Sequence, residues 1–130
     1  MGDESERAEE PIRSYRDLRV WQQAMDLAEA CYVRTRQFPK EELYGMTSQI
    51  RRSAVSVPAN IAEGNGRENR GEYIQFLRVA QGSLKELETH LILSNRIGLT
   101  SIETVKSLLD QCDPVGRLRA LIRSLQKRRL

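Results

Sequence analysis

Residues 73–91 read YIQFLRVAQGSLKELETHL, and this stretch decides the fold. Its apolar side chains recur at alternating steps of four and three residues: Tyr73, Leu77, Ala80, Leu84, Leu87 and Leu91. That spacing places one seam along a helix, as in helices that pack in bundles. Asn69 and Glu72 have the spacing of a capping box before it, and Gly98 follows as its end. The pattern predicts a helix of about 28 residues, roughly 42 Å long.

Two segments before this helix show the same stepping of apolar residues. The first covers residues 18–35, and Pro39 ends it because proline pushes the residue before it out of the helical region. The second covers residues 43–61 and contains Pro58, which removes a backbone hydrogen bond and predicts a kink or a break. Gly64 is the predicted end of this helix, because glycine can adopt the left-handed conformation past a last turn.

A fourth segment starts at Thr100, which forms a second predicted capping box with Glu103. Its apolar residues reach Cys112, where Asp113-Pro114 interrupts them, and the proline can serve as the first residue of a continuing helix. The apolar stripe resumes over residues 118–125. Three basic residues recur every four positions on the opposite side: Arg119, Arg123 and Lys127.

The links between the predicted helices are short, at residues 39–44, 64–68 and 98–100. Short links force neighbouring helices to run antiparallel. The sequence therefore predicts an all-α fold, an antiparallel up-down-up-down four-helix bundle over residues 15–130. Residues 1–14 lack periodicity and are predicted to be a disordered acidic tail.

The composition excludes several classes of protein. The chain has 130 residues, enough for one domain, and only 5% of them are aromatic, which disfavours a sheet. No apolar run approaches the roughly 18 residues of a membrane span, and residues 1–10 are acidic, unlike a signal peptide. Two cysteines are too few for a disulfide scaffold. We therefore expect a cytoplasmic protein with reduced thiols and no membrane partner.

The charge is unevenly distributed along the chain. Residues 1–10 carry five acids and one arginine, a net charge of −4, whereas residues 114–130 carry six basic residues and no acid, a net charge of +6. Such asymmetry is typical of a basic end that binds nucleic acid. The alternative is that basic residues at a helix C-terminus only complement the helix dipole.

No catalytic, cofactor or metal site is expected. A di-iron bundle requires Glu-x-x-His motifs, but the single histidine, His90, follows Leu87 at that spacing and is expected to be partly exposed. Cys31 and Cys112 lie on apolar stripes and are interpreted as buried, inert thiols. An enzyme would need a pocket assembled between subunits from Arg51, Glu63, Arg67 and Glu86; we favour a protein that is not an enzyme.

Two further sets of arginines leave alternatives open. Residues 64–67, Gly-Asn-Gly-Arg, can be a helix end followed by a tight turn, or an anion site in which Arg67 and Arg70 hold a phosphate. Arg51 and Arg52 diverge by about 100° on a helix. One of them can form a salt bridge with Glu29 or Asp26 of the first helix while the other faces a partner or solvent.

Six stretches of the sequence together resemble a known family. They are residues 15–24 (YRDLRVWQQA), 38–45 (FPKEELYG), 48–57 (SQIRRSAVSV), 60–67 (NIAEGNGR), 72–77 (EYIQFL) and 82–89 (GSLKELET). In this order they resemble the small four-helix bundle proteins named after 23S rRNA intervening sequences. The resemblance covers residues 15–99, so it implies nothing about the acidic leader or the basic end after Pro114.

The resemblance implies a homo-oligomeric ring, commonly a homopentamer, and a connection with structured RNA. A related branch comprises the accessory proteins of diversity-generating retroelements, in which a basic pentamer holds a reverse transcriptase and nucleic acid. The family's biochemical role is unsettled, so the resemblance implies the fold more than the function.

Two functions remain open from the sequence. The first is a non-enzymatic, homo-oligomeric bundle that binds RNA or DNA through charge and shape. The second is a protein-interaction scaffold, for example an accessory subunit of a reverse transcriptase or of a ribosome-associated factor. The candidate nucleic-acid-binding residues are Arg51, Arg52, Arg67, Arg70, Arg117, Arg119, Arg123, Lys127, Arg128 and Arg129.

Overall fold

The computed structural model describes residues 14–127, and within them the regular elements are helices and short 3-10 turns, with no strand. The α-helices are α1 (Arg19–Thr35), α2 (Met46–Asn65), α3 (Arg70–Arg96), α4 (Ile102–Val115) and α5 (Leu118–Lys127). Helices α4 and α5 follow each other closely and together form the fourth rod of the bundle. The predicted all-α, four-helix fold is confirmed. Of the predicted tail, only Ser14 lies within the described residues.

Contacts between helices show how the rods are arranged. The hydroxyls of Ser56 on α2 and Ser83 on α3 lie 2.8 Å apart, and Ser53 donates to Glu86 at 3.4 Å. A later residue of α2 thus meets an earlier residue of α3, so the two helices are antiparallel. Helix α1 packs against both α2 and α4, and α3 packs against α2, α4 and α5.

The heptad seam of α3 forms the centre of the core. Five of its six predicted residues are buried, while Tyr73 is half-buried and Ile74 is buried beside it. Every helix contributes fully enclosed side chains, among them Leu27, Ile61, Leu87, Leu108 and Leu118. Burial of apolar surface stabilises a fold by about 25 cal/mol per Å². The stepping of apolar residues by three and four is therefore what holds the rods together.

The caps of α3 and α4 differ in detail from the prediction. The side chain of Asn69 accepts a hydrogen bond from the Glu72 amide at 3.0 Å, which is one half of the predicted capping box. Helix α4 is capped one residue later than predicted. Ser101, not Thr100, accepts from an amide three residues on, that of Thr104, at 3.2 Å. Adjacent Thr and Ser residues can both serve as caps, so the sequence did not specify the register.

The predicted end of α2 at Gly64 falls one residue early, and the left-handed conformation predicted there is wrong. The helix passes through Pro58 without a break and continues to Asn65. Gly64 has no left-handed backbone; a Cβ added there would lie 2.7 Å from the Phe76 Cβ and 3.0 Å from a Tyr73 ring carbon. Glycine is needed here because α3 approaches so closely. The left-handed conformation occurs instead at Gly98, where φ is +83° after the last turn of α3, as predicted.

The predicted interruption at Asp113-Pro114 is also misplaced. Pro114 lies inside α4, and the break comes at Gly116-Arg117. A proline removes the hydrogen bond of its own nitrogen and crowds the carbonyl four residues before it, and both effects act on its N-terminal side. The next turn can still form, and the Gly116 amide donates to the Cys112 carbonyl at 3.2 Å. The helix therefore extends past the proline and ends at the glycine.

Candidate nucleic-acid interface

The basic stripe predicted on the last helix is present. Arg119, Arg123 and Lys127 are exposed on α5. They line an open depression of about 640 Å³, together with the small residues Gly116, Ala120 and Ser124. Small neighbours leave the charged ends of the long side chains accessible to solvent and to a ligand. The opposite side of α5 is apolar, and its buried residues face the bundle: Leu118, Ile122 and Leu125.

A second depression, of about 540 Å³, lies between α3 and α5 and adjoins the first. Arg78 and Lys85 of α3 line it, as do Arg119 and Arg123 of α5, which are common to both depressions. The remaining lining is Gln81, Gly82, Ile122 and Gln126. We call this surface the basic groove and define it by five residues: Arg78, Lys85, Arg119, Arg123 and Lys127.

The basic groove is positively charged because five cations line it and no carboxylate of residues 14–127 does. Lys85 has one acidic neighbour, since its ammonium lies 3.2 Å from a carboxylate oxygen of Glu88. The other four cations have no ion-pair partner among residues 14–127. Uncompensated cations in a groove attract phosphates and raise their local concentration.

The α3 side of the groove is open at Gly82. A Cβ built there meets no atom within 4 Å, so the glycine is not required by close packing. Arg78 and Lys85 lie four residues before it and three residues after it, which places all three on one face of α3. The sequence analysis missed these two cations. The signal was present as basic residues around a glycine, but only the packing of α5 shows that the face belongs to a groove.

The remaining C-terminal candidates lie outside the groove or outside the described residues. Arg117 is exposed in the short joint between α4 and α5 and lines neither depression. Arg128 and Arg129 lie beyond the described residues. The stripe of α5 therefore supplies three of the ten predicted residues to one surface.

Arg51 is engaged with α1, as expected for one arginine of the pair, but through a different partner. Its Nε donates to the Thr35 hydroxyl at 3.0 Å, and its guanidinium lies 4.7 Å from the centre of the Tyr32 ring. The predicted salt bridge to Glu29 or Asp26 is wrong, because Arg51 packs on the last turn of α1 whereas the acids lie in earlier turns. Arg52 is exposed and lines none of the depressions described.

The corner between α2 and α3 does not present a free pair of arginines. Arg67 forms an ion pair with Glu63 at 2.6 Å, and its guanidinium lies 4.9 Å from the centre of the Phe76 ring. The four-residue spacing of these opposite charges was readable in the sequence. Arg70 is exposed at the start of α3. Because a carboxylate occupies Arg67, the interpretation as a turn between helices fits this corner better than a phosphate site.

The residues considered for an intersubunit catalytic pocket are spread out within one chain. Arg51 contacts α1, whereas Glu63 pairs with Arg67 about 18 Å further along α2. Glu86 accepts from Ser53 at 3.4 Å, and its carboxylate lies 3.5 Å from His90 Nε2, which makes no hydrogen bond with the described residues. The carboxylate stands between the hydroxyl and the imidazole. The imidazole is therefore not placed to take the serine proton.

The two thiols are buried and free. Burial raises the pKa of Cys31 to about 12. Burial, followed by the charge of Glu88, raises the pKa of Cys112 to about 12. A thiol is nucleophilic as its thiolate, so both are inert at neutral pH in the folded protein, as predicted. Across residues 14–127, no three His, Cys, Asp or Glu side chains are grouped as metal ligands, and no helix has the length and apolar content to cross a membrane.

These features define the class of the protein as an all-α four-helix bundle with a basic groove on its third and last helices. The chain belongs to the family described as the 23S rRNA-intervening sequence protein, whose sequence model matches residues 16–120. The match includes α1 to α4 and the first residues of α5, but the Arg123 and Lys127 end of the groove lies beyond it.

A solved structure has the same fold. It is the crystal structure of a protein with unknown function from the S23 ribosomal protein family of Bacteroides thetaiotaomicron VPI-5482. The two chains are 24% identical and superpose with a TM-score of 0.71, over 79% of this chain and 97% of the other. No curated protein matches the sequence. At this identity the likeness concerns the fold alone.

Proposed function

We propose that the protein is a non-enzymatic nucleic-acid-binding protein that holds the phosphate backbone of RNA in its basic groove. One observation carries the proposal: five cations from α3 and α5 line two adjoining depressions, and no carboxylate within the described part of the chain lines either. Membership of a family named after an rRNA insert makes RNA the favoured polyanion. We further propose that it acts in the cytoplasm, where its two free thiols remain reduced.

The groove favours recognition of charge and shape over recognition of bases. Its lining contains no aromatic side chain on which a base could stack. Stacking and contacts with base edges are the usual sources of affinity for individual bases in single-stranded RNA. Contacts with phosphates position a strand but carry no sequence information. We therefore expect similar affinities for strands of different sequence and equal length.

We propose that the protein assembles into a homo-oligomer, and specifically into the homopentamer that the family resemblance suggests. Support comes from apolar side chains of α3 beyond its heptad seam: Val79, Ile92 and Leu93 are 46%, 44% and 42% exposed. Covering these residues removes apolar surface from water. Several copies would also present several grooves to one strand, which multiplies the effective affinity. Light scattering at micromolar concentration tests this, and a monomer would contradict it.

The experiment that tests RNA binding is the affinity measured against salt concentration. Five phosphate contacts to a single strand predict a slope of log affinity against log salt of about −3.5 for each chain engaged. The double variant R119E/R123E should flatten this slope and lower the affinity at least about tenfold at 0.1 M salt. Arg119 and Arg123 are exposed, so the change does not disturb the core.

The matched control is R34E/R96E, which changes the net charge by the same amount at two exposed arginines outside the groove. The control should retain the slope and nearly all the affinity. Equal losses in both variants would mean that net charge, not the groove, governs binding. A flat salt dependence in the unmodified protein would mean that the phosphates are not contacted.

A second candidate function is a scaffold that docks a protein partner, such as a reverse transcriptase or a ribosome-associated factor. It is favoured by exposed apolar residues around the turn from α3 to α4, where Ile97 is 55% exposed and Ile102 is 46% exposed. The substitutions I97S/I102S should release such a partner after nuclease treatment, whereas R119E/R123E should leave it bound. Loss of the partner on nuclease treatment alone would favour the first function.

A further inference from the structure

A smaller cavity lies at the corner where α1 ends and α2 begins. It has a volume of about 280 Å³ and shares no residue with the basic groove. Its lining, as far as residues 14–127 provide it, contains no carboxylate and three cations: Arg36, Lys40 and Arg51. None of them has an ion-pair partner among residues 14–127. Three uncompensated cations around so small a volume favour an anionic ligand.

Arg51 is held in position before any ligand arrives. Its Nε donates to the Thr35 hydroxyl at 3.0 Å and its Nη2 donates to the Tyr32 carbonyl at 3.4 Å. These bonds use two of the five donors of the guanidinium, so donors remain for a ligand. A side chain fixed by other contacts loses less conformational freedom on binding. Arg51 can therefore act as the rigid member of the site, while Arg36 and Lys40 lie exposed at its rim.

Thr47 adds a hydroxyl to the same cavity. The residue as a whole is only 3% exposed, but its hydroxyl oxygen is not among the enclosed unpaired atoms of residues 14–127, which are Gln23 Oε1 and His90 Nε2, so it is accessible. It has no hydrogen-bond partner among residues 14–127. Thr35 shows the contrast, because its hydroxyl donates to the Cys31 carbonyl at 2.7 Å and accepts from Arg51. The Thr47 hydroxyl is a donor available to a group that enters the cavity.

The start of α2 adds to the positive field. The N-terminus of a helix carries a partial positive charge and favours anions. Glu42 is a nearby acid. Its carboxylate oxygen accepts a hydrogen bond from the Met46 amide at 3.0 Å, at the first residue of the helix. That carboxylate does not line the cavity, and Glu41 is exposed outside it. The three cations therefore exceed the neighbouring negative charge.

Apart from Thr35, whose hydroxyl is paired, the rest of the cavity lining is apolar: Phe38, Pro39 and Leu43. A small inorganic anion would leave this wall uncovered. We infer that the cavity binds a nucleotide phosphomonoester, with the phosphate on Arg36, Lys40, Arg51 and the Thr47 hydroxyl and the nucleoside against the apolar wall. The volume of about 280 Å³ is just below the usual range for ligand pockets, about 300–1,000 Å³, so the cavity has room for no more than one nucleotide. The source is a free nucleotide or the phosphorylated end of an RNA strand.

Titration calorimetry of the full chain with adenosine monophosphate tests the inference. We expect saturable binding at least fivefold tighter than that of inorganic phosphate, and none for adenosine. The variant R36Q/K40Q should weaken binding tenfold or more, because it removes two exposed cations without touching the core. Thr47→Val should weaken it about fivefold without lowering the melting temperature of the free protein, and Thr47→Ser should retain binding.

Two controls separate this site from the basic groove. R34Q/R96Q removes the same charge from exposed positions outside the cavity, and R119Q/R123Q alters the groove. Both should bind the nucleotide within twofold of the unmodified protein. In R119Q/R123Q, a 5′-phosphorylated octanucleotide that binds at least as tightly as the mononucleotide indicates a strand end as the ligand, and tenfold weaker binding indicates a free nucleotide.

Absence of saturable nucleotide binding would overturn the inference, and so would equal affinities for the nucleotide and inorganic phosphate. It would also be overturned if R36Q/K40Q bound like the unmodified protein. If R119E/R123E loses RNA binding but keeps nucleotide binding, the result supports nucleotide binding by the cavity. Loss of nucleotide binding alone would leave the groove standing, so the two proposals can fail separately.

Discussion

Helix α3 has two very different sides, and two glycines mark them. Towards α2, at Gly64, the helices are so close that an added Cβ would lie 2.7 Å from Phe76. Towards α5, at Gly82, an added Cβ would meet nothing within 4 Å. The first side is closed by apolar and small polar residues, including the contact between Ser56 and Ser83. The second side is open and lined by cations. The same residue type thus has a packing role in one interface and none in the other.

This difference separates the part of the molecule that determines its stability from the part available for binding. Close packing with low polarity stabilises the fold. A groove of like charges contributes nothing comparable, because its cations repel one another. We therefore expect substitutions on the α2 side of α3 to alter unfolding, and those on the α5 side to alter binding.

The largest expected effect is at the centre of the core. Leu87 on α3 is fully buried, and Leu87→Ala should lower the free energy of unfolding by about 2–5 kcal/mol. Leu125 on α5 is 9% exposed, and its helix packs chiefly against α3, so Leu125→Ala should cost less. Urea denaturation with equal m-values measures both changes. Equal losses would show that α5 is as integral to the core as α3.

The closed interface should be sensitive to a single methyl group. Gly64→Ala places a carbon against the Phe76 Cβ and within 3.2 Å of the Tyr73 carbonyl oxygen, neither of which is the end of a flexible side chain. Overpacking of this kind costs about 1–3 kcal/mol. The control is Gly66→Ala, where the nearest atom is 3.6 Å away. A stability for Gly64→Ala equal to that of the control would contradict the close approach.

The burial of Cys31 and Cys112 can be tested through the pH dependence of the free energy of unfolding. The pKa of both cysteines is raised from 9.0 to about 12 by burial, so above pH 9 the unfolded chain loses these protons first. Their contribution is intact below pH 9 and is lost as the pH rises towards 12, by up to about 1.4 kcal/mol per pH unit for each thiol. Urea denaturation at pH 8 and pH 10 measures it. In C31A/C112A the decline should be shallower; an unchanged decline would exclude the thiols as its cause.

The smallest expected effect is on the open side, and its sign is opposite. Gly82→Ala adds a methyl group in free space within a helix, so it should raise stability by about 0.5–1 kcal/mol through the better helix propensity of alanine. RNA affinity should stay within twofold, because all five cations remain. A rise in melting temperature measured by circular dichroism checks the first part. A fall would mean that the groove is narrower than described.

The sequence predicted the elements well because apolar periodicity is a local property. The seam of α3 and the stripe of Arg119, Arg123 and Lys127 were both readable, and both are present. The role of Gly64 was not readable, because a glycine that permits close approach looks the same in sequence as one that ends a helix. Only the position of Phe76 distinguishes the two cases.

The candidate site was predicted only in part, because it is formed between elements. Arg78 and Lys85 join the groove through the packing of α5 on α3, which no spacing within α3 reveals. Arg67, one of the two residues weighed for an anion site, pairs with Glu63 four residues before it, a spacing that was readable in the sequence. One of Arg51 and Arg52 was expected to pair with an acid on α1, but Arg51 donates to the Thr35 hydroxyl instead. The prediction named the correct helix, α1. The register between α1 and α2 determined which residue of α1 Arg51 contacts.

The contact between α1 and α4 has a consequence for how the protein emerges during synthesis. Residues 36–101 separate the two helices, and at about 5–20 residues per second the ribosome needs roughly 3–13 s to add them. Until then α4 is absent beside Cys31. In the folded protein α4 carries Cys112, whose pKa is raised in part by Cys31. For several seconds the nascent chain therefore exposes the apolar face of α1 that carries the Cys31 thiol. Chaperones and oxidants can reach this face of α1 only until α4 packs against it.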